Sequence, residues 1–213
     1  MLYMNKLRTL IAAVAVLACS NIYAQTDAFY SEIKSLIYDY DKLAQAFLSD
    51  KDMSLDDYTL LYYGFTFTNN YKPNYNGTAA DSLIILKQYV KAYQQLQEDH
   101  RTNPTSLQTL FDLMNIASYL EKEKESSVYQ SRYINLVKAI MQAGGDGLSP
   151  DNAIRVNSVM DEFQILSTYF KAVAIRSKEF SDDYIDKITI KDSDGNTKDV
   201  FFDFKRYMEV SGK

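Results

Sequence analysis

The apolar rhythm of this chain changes once, at Pro150, and that change sets the kind of fold it can adopt. Before it, apolar residues recur at three- and four-residue steps, the period of one helix face. Phe29, Ile33, Leu36, Ile37, Tyr40, Leu43, Ala44 and Phe47 form the first such series. Tyr58, Leu61, Tyr62 and Phe65 form the second, behind Ser54 as a cap and acids in the first turn. Pro73 and Asn76-Gly77 mark a loop over 69–78. Asp81 then serves as a cap for a helix striped by Leu83, Leu86, Val90, Tyr93 and Leu96. The segment around His100 reads as a polar turn. Asn103-Pro104 reads as a helix entry, since proline at the first helical position forfeits no hydrogen bond. Leu107, Leu110, Phe111, Met114 and Ala117 follow, then Tyr129, Tyr133, Leu136, Val137, Ile140 and Met141. Gly144-Gly145 stops that last helix.

After Pro150 the period drops towards two. Ile154 and Val156 alternate with polar neighbours, Met160 to Phe170 suits a short helix, and Val173, Ile175 and Ser177 alternate again. Tyr184, Ile188 and Ile190 precede "DSDGNT", and Val200, Phe202 and Phe204 follow it. Two alternating runs around Asp194-Gly195 predict a β-hairpin with a type I′ turn. The expected class is α+β. Antiparallel, repeat-like helical hairpins occupy 25–148, without a tetratricopeptide signature. An α+β lobe over 149–213 carries a small antiparallel sheet and ends in a hairpin. The two lobes are expected to form one structural unit.

The N-terminus reads as an export signal. Lys6 and Arg8 precede an apolar run, Leu10 to Ala18, that is too short to span a bilayer. Two cuts remain open. One follows Ala24 and starts the mature chain at Gln25, which the layout favours. The other precedes Cys19, which would then be acylated and would anchor the chain by lipid. The expected location is the periplasm or the exterior, or the envelope as a lipoprotein. Cys19 is the only cysteine, so the mature domain is held by its core rather than by disulfides. Loss of residues 1–24 leaves 21 basic and 28 acidic residues, a net charge of −7. That balance argues against nucleic acid as a partner. No later stretch is apolar enough for a transmembrane helix.

Several chemistries lack their residues. One histidine and one cysteine supply no zinc, copper or haem ligand set, and a histidine-based nucleophile would rest on His100 alone. Gly-rich nucleotide loops are missing, and no cofactor is expected. Asp192, Asp194 and Asn196 have the spacing of a calcium loop, but its sixth-position glycine and closing glutamate are not in place, and a tight turn explains Asp-Gly. "GGDGLSPD" (Gly144 to Asp151) offers backbone amides to an anion, and equally stops one helix and turns the chain. The aromatic run from Tyr58 to Tyr75 suits core packing better than sugar stacking in a chain with no tryptophan. Asp81-Ser82-Leu83 has the form of a short O-glycan attachment site, with helix capping by Asp81 as the simpler role.

The elements "LYYGF" (Leu61 to Phe65), "YKPN" (Tyr71 to Asn74), "GDGLSPDNA" (Gly145 to Ala153), "SVMDEFQIL" (Ser158 to Leu166) and "VFFDF" (Val200 to Phe204) occur in that order. Together they resemble domain-of-unknown-function family 4919, exported proteins of the Bacteroidota. The resemblance implies a signal ending at Ala-Gln, hence the cut before Gln25. It carries no activity, cofactor or catalytic residue. The expected function is that of an exported, non-catalytic envelope or periplasmic protein whose helical lobe binds a protein or peptide. The alternative is a carboxylate-based hydrolase with its site between the lobes, for which Asp146, Asp161 and Glu162 are the candidate acids.

Overall fold

The computed structural model describes residues 25–37, 39–73, 79–181 and 183–212. Ala24, Cys19 and positions 74–78 of the expected loop lie outside the described residues. Among those described, nine helices precede, punctuate and follow a four-stranded sheet, which is the expected α+β class.

The helical region starts with α1, helical over 25–36, and α2 (Tyr40–Leu48). The single apolar face expected from Phe29 to Phe47 is therefore divided. Asp39 restarts the helix by accepting from the Lys42 amide at 3.0 Å, and Leu36 falls on the exposed side of the break. α3 (Leu55–Gly64) opens on a full capping box. Ser54 accepts from the Asp57 amide at 3.2 Å, and Asp57 accepts from the Ser54 amide at 2.9 Å. A 3₁₀ turn, Phe65–Phe67, completes it.

The stripe expected from Leu83 to Leu96 is split as well, into α4 (Ala79–Ile85) and α5 (Tyr89–Thr102). Asp81 lies in the first turn of α4 rather than before it. Lys87 takes a left-handed backbone, φ 56°, donates to Ile84 O at 2.9 Å, and Gln88 donates to Leu83 O at 2.8 Å. This pair of bonds is a Schellman stop, which satisfies the last carbonyls of α4. Leu86 and Val90 point outwards as a result, while Tyr93 and Leu96 stay in the core. Asp50 (φ 54°) after α2 and Glu121 (φ 58°) before α7 make the same pattern of bonds. All three stops use a charged residue where glycine is the usual choice.

α5 runs on through the segment expected to be a polar turn, so His100 is helical and buried. α6 (Leu107–Tyr119) is capped by Ser106, not by Asn103, and Pro104 lies outside it. Asn103 instead accepts from the Thr105 amide at 3.2 Å and shapes the linker. α7 (Glu123–Ala143) packs along α6 and also against α3. It ends at Gly144, where a Cβ would lie 2.5 Å from Tyr63 Oη and 2.6 Å from Ile140 O. That approach requires glycine.

Beyond Pro150 the chain forms β1 (Ile154–Arg155), α8 (Val159–Thr168), β2 (Ala172–Phe180), β3 (Ile185–Asp192), β4 (Thr197–Asp203) and α9 (Lys205–Ser211). The sheet order is β1-β4-β3-β2. β2, β3 and β4 pair antiparallel, as expected, and the two-residue β1 joins β4 in parallel. The sheet is therefore mixed. The β3–β4 turn is not type I′: only Gly195 has positive φ, at 89°, and its amide donates to Asp192 O at 3.1 Å. That is the pattern of a type I turn closed by a glycine bulge. Ile188, Ile190, Val200 and Phe202 on the sheet share one continuous core with Tyr62, Leu136 and Ile140 of the helices.

Candidate functional site

The three candidate acids go to three different tasks. Asp146 is exposed, and its Oδ1 accepts from the Leu148 amide at 2.9 Å, closing its own turn. Gly147 beside it, φ 72°, accepts from the Phe201 amide at 2.9 Å and so lays this loop along β4. Asp161 and Glu162, though consecutive, face different layers, because adjacent helix residues project about 100° apart.

Asp161 sits in the first turn of α8 and is buried. The Tyr62 hydroxyl donates to its Oδ2 at 2.7 Å. The backbone amides of Leu107, at the start of α6, and of Ser158, the cap of α8, donate to the same carboxylate. One carboxylate thus satisfies the open N-termini of two helices and complements both dipoles. Burial pushes the Asp161 carboxyl up to about 6, against the pull of those donors. Tyr62 Oη in turn accepts from the Asn157 amide at 2.9 Å. Asn157 Nδ2 donates to Tyr62 O at 2.6 Å, and the Tyr71 hydroxyl donates to Asn157 O at 2.6 Å. Tyr63, the next residue, donates to Arg155 O at 3.1 Å and serves the core.

Glu162 is fully buried and meets the sheet. Lys178 Nζ on β2 lies 2.7 Å from Glu162 Oε2 and 2.5 Å from Asp186 Oδ2 on β3. The rings of Phe163 and Phe204 flank the ammonium at 5.7 and 5.6 Å. Desolvation raises the Glu162 carboxyl to about 9, with the Asp186 carboxylate adding to the rise and Lys178 opposing it. Lys178 and Asp186 were missed in the sequence, although a signal existed. Residues of like parity share a strand face. Asp186 therefore belongs with Ile188 and Ile190, on the buried side, rather than with the solvated lysines.

His100 belongs to a further buried cluster. Arg132 donates from Nη1 to His100 Nε2 at 3.1 Å, since a guanidinium has no acceptor. Its Nη2 donates to Leu48 O at 2.8 Å and to Asp50 Oδ1 at 2.7 Å. Burial, then the Arg132 charge, hold the imidazole down to about 3.

A cavity of about 690 Å³ lies where α8 and α9 meet the helical region. Phe65, Tyr71 and Tyr207 contribute rings, and Asn103, Gln108 and Asp112 contribute polar groups. Gln108 Nε2 donates to Asp112 Oδ2 at 2.9 Å, and Gln164 Nε2 donates to Gln108 Oε1 at 2.7 Å. Burial raises the Asp112 carboxyl, the Gln108 bond opposes this, and the Asp81 charge adds to it. Asp161 reaches the cavity wall, whereas Asp146 and Glu162 do not line it. Among the described residues, no group of three His, Cys, Asp or Glu is placed to hold a metal ion. The Asp192 carboxylate serves its own turn, accepting from the Asp194 and Asn196 amides at 3.1 and 2.9 Å. No described helix is long and apolar enough to cross a membrane.

The chain that folds in this way belongs to a defined family. The sequence model of the family described as Domain of unknown function (DUF4919) matches residues 29–213, and the chain is a member of that family. No curated protein and no solved structure matches the chain.

Proposed function

We propose that this chain is an exported, non-catalytic binding protein of the cell envelope, and that it holds a short peptide segment of a partner in the cavity between its lobes. The observation that carries this reading is the lining of that cavity. Its volume, about 690 Å³, falls in the range of ligand sites. Rings from Phe65, Tyr71 and Tyr207 and polar groups from Asn103, Gln108 and Asp112 suit a peptide's mixture of apolar side chains and backbone amides. Export rests on the basic start, the short apolar run and the small residue at Ala24, with acylation of Cys19 as the other outcome.

The hydrolase reading draws on Asp161 alone, the one candidate acid at the cavity wall. Its donors are a tyrosine and the amides of two helix starts, and these would have to be released before the carboxylate met a substrate. Binding therefore accounts for more of the arrangement than catalysis does.

The test is a thermal melt with and without a defined pool of short peptides, on the native chain and on a Gln108→Trp variant that fills the cavity. The native chain should gain stability with the pool, by mass action, and the filled variant should not. No shift in the native chain, or equal shifts in both, would overturn the binding reading. Intact mass of the native cellular species tests export: a start at Gln25 or at an acylated Cys19 supports it, and a start at Met1 overturns it.

A further inference from the structure

Glu162, Lys178 and Asp186 raise a question of charge that the cavity does not. Two buried carboxylates share one ammonium, so with both ionised the cluster carries one uncompensated negative charge. Such a charge is costly in a dry interior. The hydrogen bonding shows the same deficit. Glu162 Oε1 and Asp186 Oδ1 are both buried and both lack a partner. These two orphans belong to the two acids that meet at Lys178.

We propose that the Glu162 and Asp186 carboxyl groups share one proton at neutral pH, and that this proton latches α8 to the sheet. A single proton supplies both missing features. Carried by Glu162, it donates to Asp186, and the cluster becomes one carboxylic acid, one carboxylate and one ammonium, with no net charge. Two carboxylates this close cannot both ionise freely. The rise of the Glu162 carboxyl to about 9 agrees with this, and the charges that act on it are those of Asp186 and Lys178. The other side chains placed around them are apolar, while Lys178 keeps 35% of its own side chain exposed. Phe180 and Phe202 pair with Asp186 across the sheet, Ile188 pairs with Lys178, and Phe163 and Phe204 flank the ammonium. On α8 itself, Asp161 is held to α6 and Tyr62 instead.

The latch joins the helix to two strands at once, since Glu162 comes from α8, Lys178 from β2 and Asp186 from β3. Loss of the proton to solvent at alkaline pH returns the buried negative charge. The least costly relief is for α8 to lift from the sheet and let water in. α8 also carries Val159, Met160 and Asp161 into the cavity wall, so its seating sets the shape of that wall.

The experiment is carbon-detected NMR of the side-chain carboxyl groups on the full chain, titrated from about pH 5 to about pH 10. Glu162→Gln and Asp186→Asn identify the resonances. The expected result is one shared step above neutrality, in which the Glu162 resonance moves and the Asp186 resonance follows. Both carboxyl groups fully ionised at neutral pH would overturn the proposal. Thermal melts supply the second reading. The native chain should lose stability as pH rises from neutral towards the Glu162 step, and Glu162→Gln, which keeps a donor towards Asp186, should stay nearly flat. A parallel loss in that variant would overturn the latch. Should the variant fail to fold, the titration of the native chain decides alone.

Discussion

The Tyr62 hydroxyl meets Asp161 Oδ2 at 2.7 Å across a sequence separation of 99 residues. This bond ties the third helix to the start of the eighth. Tyr62→Phe removes the donor to Asp161 and the acceptor for the Asn157 amide, both in a buried setting. A buried group left without its partner costs about 1–3 kcal/mol. Urea unfolding should show a loss in that range with the slope unchanged. Asp161→Asn should destabilise similarly, since an amide group cannot accept as many donors. A hydrolase would instead keep its fold in Asp161→Asn and lose only turnover.

Acid should destabilise the protein through His100. Its folded pKa, about 3, lies below the ordinary 6.5, so the neutral form is the one that fits. The stability tied to it is complete above 6.5 and drains away as pH falls towards 3. Asp161 runs the other way. Its carboxyl is raised from 3.8 to about 6, so its contribution is complete below 3.8 and is lost as pH climbs to 6. The two oppose each other between those limits. Glu162, raised from 4.5 to about 9, acts in the same direction as Asp161. His100→Gln removes only the first effect, so its urea midpoint should rise relative to that of the native chain as pH falls from 6.5 towards 3.

Lys87 and Glu121 each sit at φ near 57°, at 56° and 58°, in a Schellman stop. A left-handed backbone costs a residue with a Cβ about 1–2 kcal/mol, part of which glycine loses again through unfolded-chain entropy. Lys87→Gly and Glu121→Gly should each stabilise by about 0.5–1 kcal/mol, read as a rise in melting temperature. Gly144→Ala is the control of opposite sign. Its Cβ would meet Tyr63 Oη and the Ile140 carbonyl, so it should lower the melting temperature.

These positions also mark where the sequence stops being readable. The change of period at Pro150, the Ser54 cap and the hairpin about Gly195 are local signals, and each was legible. The break at Lys87 was not, because a stop built on lysine lacks the glycine that announces one. His100 read as part of a polar turn, since its partner Arg132 is 32 residues away and local polarity cannot reveal burial. The cavity was harder still. Tyr71, Gln108, Asn157 and Tyr207 come from four separate segments, and only their packing brings them together. Asp186 was missed as well, but it differs from these, because its parity with Ile188 and Ile190 was a local signal that went unread.

Thr26 in α1 donates to Asp203 Oδ2 at 2.6 Å, and Asp27 pairs with Lys205 at 2.5 Å, across 177 and 178 positions. The earliest helix is therefore fastened by the final strand and the helix behind it. A chain emerging residue by residue has no clasp for Thr26 or Asp27 until synthesis has passed Lys205. These two polar clasps join segments almost the whole described fold apart, so a fragment truncated before Phe202 should lose both while α1 keeps its ring contacts with Tyr63.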